Sequence, residues 1–246
     1  MLPVVLLHAF PLDSRMYDPL RRLLPDVDLL TPDLAGFGVS PRSASEPSLD
    51  VMADDVASAL ADRGIDQAII GGTSMGGYVS MALLARHPGL AAALLLLDTK
   101  ASADDDAAAL GRQTMAQRLE SENTPAALVE QVYPKLLGVT TTSQRPDVAA
   151  TVRGWVDEAD PRSAAWAQRA MAARLESFTT LADSDLPALI VVGDEDVLSP
   201  PADAEQMARS WRGARVATIP RAGHLAVVER PDAVAAVVGE FLAEVG

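Results

Sequence analysis

The feature that most constrains the fold of this chain is a serine between two closely spaced glycines. Residues 72–76 read Gly-Thr-Ser-Met-Gly, a Gly-x-Ser-x-Gly pattern. An apolar run at 68–70 precedes the pattern, and a stretch rich in Ala, Leu and Met follows it at 75–86. Because larger side chains at the two glycines would crowd a strand and a helix packed side by side, the pattern predicts a sharp strand–turn–helix unit. Ser74 then lies at the tip of this turn, with its hydroxyl above the end of the strand.

Short apolar runs bounded by turn residues recur along the chain. They cover 4–7, 27–30, 68–70, 93–97, 189–192 and 216–219. Since they lack polar alternation, they are typical of strands covered on both faces. Stretches with helical character at 49–63, 75–86, 201–211 and 232–245 lie between or after them. The sequence therefore predicts an α/β protein with a mainly parallel sheet of about six strands flanked by helices.

One long interval between two predicted strands contains no strand-like run. It is rich in Ala, Asp, Glu, Gln and Arg, and its pattern predicts four helices at 107–119, 125–137, 146–158 and 163–175. A strand-free insert of this length between core strands is typical of a cap over one end of a sheet. We therefore predict a core formed by 1–99 and 187–246, with an inserted helical cap formed by 100–186.

Charge and composition argue against several classes of function. The formal net charge is −14, and an acidic surface repels phosphate backbones and anionic lipid headgroups. We expect neither nucleic acid nor a membrane as a partner. The expected oligomeric state is a monomer or a homodimer. The chain has no cysteine, which removes disulfides and thiolate metal sites and fits a cytoplasmic location. The N-terminal apolar stretch is predicted to be a strand and not a signal peptide, and no metal or cofactor is expected.

The three histidines of the chain differ in how well they could activate Ser74. A serine hydroxyl is a poor nucleophile until a base accepts its proton, and histidine is the usual base near neutral pH. His87 ends the predicted helix that Ser74 begins, about 18–20 Å along its axis. His8 closes the first strand and is better placed to hold the adjoining loop. His224, in the loop before the last helix, is the predicted base, with a surface-loop histidine as the alternative.

A carboxylate is needed to fix the tautomer of such a base and to stabilise its cation. Three acids at 194–196 follow the predicted strand 189–192, and Asp98 follows the strand 93–97. Because the carboxyl ends of parallel strands meet at one edge of a sheet, all of these acids are candidates.

The alternative for the serine turn is a phosphate-binding loop in which Ser74 caps the helix. A phosphate loop of the Walker type requires a lysine after the turn, and this turn is followed by none.

Together these segments resemble the α/β-hydrolase superfamily over nearly the whole chain, and the order Ser, Asp, His matches its order. The similar segments are the oxyanion loop 8–13, the turn 33–40, the nucleophile elbow 72–76, the acid loop 193–196 and the histidine loop 222–224. The resemblance implies a triad of Ser74, Asp196 and His224, and an oxyanion hole formed by the amides of Phe10 and Met75. It also implies that the chain begins at the third strand of the family, without the first antiparallel hairpin.

Two further features refine this interpretation. Ala9 stands where the family usually has glycine, which brings the placement of the neighbouring Phe10 amide into question. The serine at the elbow argues against dehalogenase or epoxide-hydrolase chemistry, which uses aspartate at that position.

Candidate residues of the substrate pocket lie in and near the predicted cap. They are Tyr133, Trp155 and Leu198, although core packing is the alternative for each aromatic residue. The acidic run 104–106 lacks the spaced ligands and the glycine of a calcium loop, so we expect a solvated start of a helix there.

The function predicted from the sequence is hydrolysis of a small carboxylic ester or lactone through an acyl-enzyme on Ser74. Segment 8–17 resembles enol-lactonases, and the elbow resembles bacterial esterases and cofactor-free perhydrolases. Two alternatives stay open: a ligand-binding or signalling protein with an idle triad, and a lyase or carbon–carbon bond hydrolase that uses the same residues.

Overall fold

The computed structural model describes residues 2–245 of the chain. Met1 and Gly246, which belong to the predicted core, lie outside the described residues. The strands form one sheet and are β1 (Val4–Leu7), β2 (Leu29–Leu30), β3 (Ala68–Thr73), β4 (Ala91–Leu97), β5 (Ala188–Gly193) and β6 (Ala214–Ile219). Their order is β2-β1-β3-β4-β5-β6, and every neighbouring pair is parallel. The predicted parallel sheet of about six strands flanked by helices is confirmed.

The central strands and the edge strands differ in burial. β1, β3 and β5 are buried at every residue, and β4 at every residue except Ala92. In β6 only Ile219 is buried, whereas Arg215, Val216 and Thr218 are exposed. The expectation that β6 is covered on both faces is therefore wrong: this strand lies at the edge of the sheet and is left partly open to solvent.

The helices that flank the sheet are α1 (Asp18–Leu23), α2 (Leu49–Ala61), α3 (Met75–Arg86), α10 (Pro201–Ser210), α11 (Ala226–Glu229) and α12 (Pro231–Val245). The four longer helices coincide with predicted ones. α1 and α11 contain 6 and 4 residues, too few to display a helical period in the sequence. In the part of the chain that the structure describes, no helix combines the length and apolarity needed to cross a bilayer.

The segment between β4 and β5 is entirely helical or irregular. Its helices are α4 (Asp106–Glu122), α5 (Ala126–Gln131), α6 (Val139–Gln144), α7 (Pro146–Asp157), α8 (Pro161–Ala172) and α9 (Phe178–Ala182), with a 3-10 turn at Tyr133–Lys135. The second predicted helix is interrupted at this turn because Pro134 has no N–H to donate. α4 packs mainly against α8. The division into core and cap remains a prediction.

Candidate active site

Ser74 occupies a strained turn between β3 and α3. Its backbone angles, φ 54° and ψ −112°, are sparsely populated by residues other than glycine and cost of the order of 1–3 kcal/mol. A Cβ on Gly76 would overlap the carbonyl oxygen of Leu7, and one on Gly72 would come within 2.7 Å of the same oxygen. The two glycines thus let the turn approach β1 closely, as the sequence predicts. Ser74 itself is half-buried and borders a cavity.

The structure brings Ser74, His224 and Asp196 together at the carboxyl edge of the sheet. His224 Nε2 lies 2.7 Å from Ser74 Oγ, and His224 Nδ1 lies 2.8 Å from Asp196 Oδ2. The other carboxylate oxygen accepts the N–H groups of Leu198 and Ser199 at 2.8 and 3.0 Å. His224 and Asp196 are buried. The carboxylate is therefore fixed by the main chain while it faces the imidazole.

The competing acids are used elsewhere. Asp98 is fully buried, and its two oxygens accept the N–H groups of Gly193 and Ala226, each at 2.9 Å. Burial, followed by the nearby charge of Asp196, raises the pKa of Asp98 well above its usual value. Asp194 accepts the N–H of Arg221 at 2.6 Å. Asp98 and Asp194 thus fasten loops, whereas Asp196 contacts the imidazole.

The other two histidines have structural partners. His8 Nε2 accepts the N–H of Leu34 at 2.9 Å, so His8 holds the loop after β2, whereas the prediction was the loop that adjoins it after β1. Burial lowers the pKa of His8, which favours the neutral form that can accept this hydrogen bond. His87 lies at the opposite end of α3 from Ser74 and bonds Asp54 at 2.8 Å.

The main-chain amides expected to form the oxyanion hole are available. Among hydrogen bonds within residues 2–245, none is donated by the N–H of Phe10 or Met75. Phe10 lines the same cavity as Ser74, and Met75 begins α3, where unpaired helix amides favour negative charge. Ala9 is fully buried, and its N–H faces Met16 Sδ at 3.2 Å.

Comparison with known proteins agrees with this architecture. The sequence matches the model of the alpha/beta hydrolase family over residues 4–237. The chain belongs to this family. An alpha/beta hydrolase with serine at the elbow is consistent with the arrangement of residues described above.

Relatives of this hydrolase include esterases and a lactonase. A thermophilic esterase from Thermogutta terrifontis, solved with malate bound, has a TM-score of 0.96 and 36% identity, covering 100% of this chain and 90% of the other. The enol-lactonase from Burkholderia xenovorans LB400 has a TM-score of 0.88 and 26% identity, covering 99% and 92%. A pimeloyl-[acyl-carrier protein] methyl ester esterase from Neisseria meningitidis serogroup B (strain ATCC BAA-335 / MC58) is 29% identical over 260 residues, which are 97% of this chain and 92% of that protein.

A cavity of about 250 Å³ lies beside Ser74 and is bordered by the loops after β1, β3, β5 and β6 and by the segment between β4 and β5, which we call the insert. Leu198, one of the predicted pocket residues, lines it. Tyr133 and Trp155 do not. Tyr133 points away from the cavity, and its hydroxyl donates to the carbonyl of Ala149 in α7 at 3.1 Å. Its neighbour Val132, just before the 3-10 turn, lines the cavity instead. Trp155 lines a separate cavity of about 190 Å³.

Sequence reasoning missed the charged wall of this cavity. Lys100, Arg112 and Lys135 line it, together with the single carboxylate of Asp104. A signal was present in the composition, since the chain has only two lysines, at positions 100 and 135. Nothing in their local sequence shows that they meet.

Asp104 corrects the expectation of a solvated helix start. Its side chain is 2% exposed and pairs with Arg112 Nε at 2.5 Å and Arg174 Nη1 at 2.9 Å. Burial alone raises the pKa of the Asp104 carboxyl, but the charges and hydrogen bonds of Arg112 and Arg174 outweigh it and hold the pKa below its usual value. Asp105 instead caps α4, accepting the N–H of Ala108 at 2.8 Å. Within residues 2–245, no group of three histidine or acidic side chains could hold a metal ion.

Glu229 is a second residue that the sequence did not reveal. It is fully buried, and its carboxylate accepts the N–H groups of Gly138, Gly223 and Leu225 at 2.9, 2.8 and 3.3 Å. Burial raises its pKa. Since Gly223 and Leu225 flank His224, and Gly138 belongs to the insert, Glu229 ties the insert to the histidine loop.

Proposed function

We propose that the protein hydrolyses a small carboxylic ester or lactone through an acyl-enzyme on Ser74. The observation that carries this proposal is the unbroken contact from Ser74 Oγ to His224 at 2.7 Å and from His224 to Asp196 at 2.8 Å. Such a chain supplies the three functions that serine catalysis needs: a nucleophile, a base that accepts its proton, and a carboxylate that orients the base. The esterase and enol-lactonase relatives support an ester or lactone bond as the target.

In acylation, Ser74 Oγ attacks the carbonyl carbon while His224 Nε2 accepts its proton. The proton then passes to the leaving alkoxide, and the alcohol departs; in a lactone the alcohol stays attached to the acyl group. In deacylation, His224 takes a proton from water, whose oxygen attacks the acyl carbon, and the proton returns to Ser74 Oγ. Throughout, Asp196 holds the imidazole in one tautomer and stabilises its cation.

The amides of Phe10 and Met75 are assigned to the developing oxyanion. Each such donor commonly contributes about 10²–10³ in rate. Both groups belong to the main chain, so their positions depend on the loop after β1 and on the start of α3, and not on side-chain rotamers.

The proposal is tested with a fluorophosphonate probe and p-nitrophenyl acetate. We expect one phosphonyl adduct per chain, located on Ser74 by peptide mass spectrometry. Ser74→Ala should lower kcat by about 10⁴–10⁶-fold, because nucleophile and base act as a unit. The control is Ser143→Ala, which removes an exposed hydroxyl on α6. Full turnover by Ser74→Ala, or labelling at another residue, contradicts the proposal.

A further inference from the structure

Both lysines of the chain lie at the cavity beside Ser74. The sequence contains lysine only at positions 100 and 135, and both residues line this cavity. Lys100 comes shortly after β4, at the first position of the predicted cap. Lys135 ends the 3-10 turn after α5, and Arg112 reaches the same cavity from α4. Three cations from three separate elements thus converge beside the nucleophile.

These lysines are not consumed by ion pairs. Within residues 2–245, neither Lys100 nor Lys135 has a carboxylate oxygen within 4.0 Å. Many arginines of the protein are engaged instead, as Arg118 is with Glu122 and Glu130. The charge of Lys100 reaches the carboxylate of Asp203, but neither lysine makes a direct ion pair that would explain its position.

Arg112 is held in place with part of its guanidinium group open to the cavity. Its Nε pairs with Asp104 at 2.5 Å, and its Nη1 donates to Gln168 Oε1 at 3.2 Å. Asp104 is shared with Arg174, whose Nη1 lies 2.9 Å from the same carboxylate oxygen. The one carboxylate that lines the cavity is thus already bound by two guanidinium groups, while three cations line the cavity. The balance of charge at this wall is positive, in a chain of net charge −14.

The chemistry of this wall selects an anion of modest size. The cavity, about 250 Å³, lies just below the usual range of about 300–1,000 Å³ for drug-sized ligands. Ammonium and guanidinium groups form charge-assisted hydrogen bonds with a carboxylate that are roughly twice as strong as neutral ones. We propose that Lys100, Arg112 and Lys135 bind an ionised carboxyl group of the substrate, so that the preferred substrate is a small ester or lactone bearing a second, free carboxylate. This inference rests on the proposed function, because it names the substrate class for the same site.

The test compares substrates that differ in charge and not in shape. On the acyl side the pair is monomethyl glutarate and its neutral amide, methyl 4-carbamoylbutanoate. On the alcohol side the pair is 3-acetoxypropanoate and 3-acetoxypropanamide. We expect kcat/KM for the carboxylate to exceed that for the amide by about tenfold or more in at least one pair, the gain expected of a charge-assisted contact. The pair that shows it tells which part of the ester carries the anion.

Variants connect the preference to the lysines. Lys100→Met and Lys135→Met should each lower the carboxylate-to-amide ratio of kcat/KM about five- to tenfold, since each removes one cationic donor. Arg209→Met removes the same charge from a side chain that is 68% exposed and does not line the cavity, so its ratio should equal that of the unmodified protein. Raising the ionic strength should also reduce the ratio, because salt screens accessible charges.

Equal kcat/KM for both members of both pairs overturns the inference, as does a ratio that changes equally in Arg209→Met. Lys135 is exposed, so its replacement gives an answer even if Lys100→Met fails to fold. Turnover of p-nitrophenyl acetate separates the two levels of the argument. If that ester is hydrolysed without any preference for carboxylates, only the substrate class is wrong. If no ester is hydrolysed and the fluorophosphonate leaves Ser74 unlabelled, the proposed function is wrong and the substrate class fails with it.

Discussion

The two sides of the cavity are built in different ways. On the core side, Ser74, Asp196 and His224 each follow a strand of the sheet within a few residues. On the insert side, Arg112 and Lys135 come from a helix and a 3-10 turn, whose positions depend on how the helices pack. The difference teaches that the proposed catalytic groups are set by short turns after strands. Of the three cations proposed to bind substrate, Lys100 also follows a strand directly, whereas the positions of Arg112 and Lys135 depend on long-range packing.

The largest expected effect tests the core side. Asp196→Asn should lower kcat for p-nitrophenyl acetate by about 10⁴-fold, because an amide cannot hold the required tautomer of His224. Asp98→Asn should lower it by no more than about tenfold, since Asp98 bonds Gly193 and Ala226 and not the imidazole. Asparagine tolerates the positive φ of 45° at this position. A loss in Asp98→Asn as large as in Asp196→Asn would show that the carboxylate of the triad is misassigned.

The next effect tests the insert side. Asp104→Asn should lower the free energy of unfolding by about 3 kcal/mol, because it leaves Arg174 buried without its carboxylate. For a chain of this size we expect a fall in Tm of about 6–12 °C. Asp157→Asn is the matched control, since its ion pair with Arg153 is exposed and worth about 0–1 kcal/mol. If the two sides are independent, folded Asp104→Asn protein keeps its rate of fluorophosphonate labelling at Ser74.

The same variant carries a pH signature. The pKa of Asp104 is lower in the folded protein than its ordinary value, so its stabilisation is present above the unfolded pKa of about 4 and is lost as pH falls through the folded pKa. The difference in Tm between the unmodified protein and Asp104→Asn should stay constant from about pH 5 to 7 and shrink below about pH 4. A difference that persists unchanged at pH 3 contradicts the ionic origin.

The smallest expected effect concerns Glu229, which joins the two sides. Glu229→Gln keeps one acceptor oxygen but loses the other, so either Gly138 or the amides beside His224 lose their partner. We expect kcat to fall about tenfold with little change in KM, because the imidazole is less firmly oriented. Glu244→Gln, in an exposed pair with Arg215, is the control. A lower Tm with unchanged kcat would limit Glu229 to a structural role.

What the sequence could predict follows the same division. The glycines at 72 and 76 and the apolar runs carry local information, and they were sufficient for the elbow, the sheet and the placement of His224 beside Ser74. The choice between Asp98 and Asp196 needed the family resemblance, since both follow a buried strand. β6 appeared fully covered because an apolar run does not reveal that its strand lies at an edge.

The insert was harder to predict because its contacts are distant in sequence. Asp104 looked solvated, since nothing near it announces that Arg112 and Arg174 fold over it. The sequence predicts Tyr133 and Trp155 as pocket residues because both are aromatic, yet which face of a helix meets the cavity depends on packing. The lysines that do line the cavity carry no motif.

At residue 74, the requirement for a stable protein conflicts with the requirement for a serine side chain. A residue with φ 54° and ψ −112° is held there by its surroundings, and glycine adopts positive φ with little strain. Selection for thermal stability alone would therefore favour glycine at residue 74. The resulting protein would be more stable but would lack the proposed nucleophile. Directed evolution of this protein for stability must therefore measure ester hydrolysis at every round.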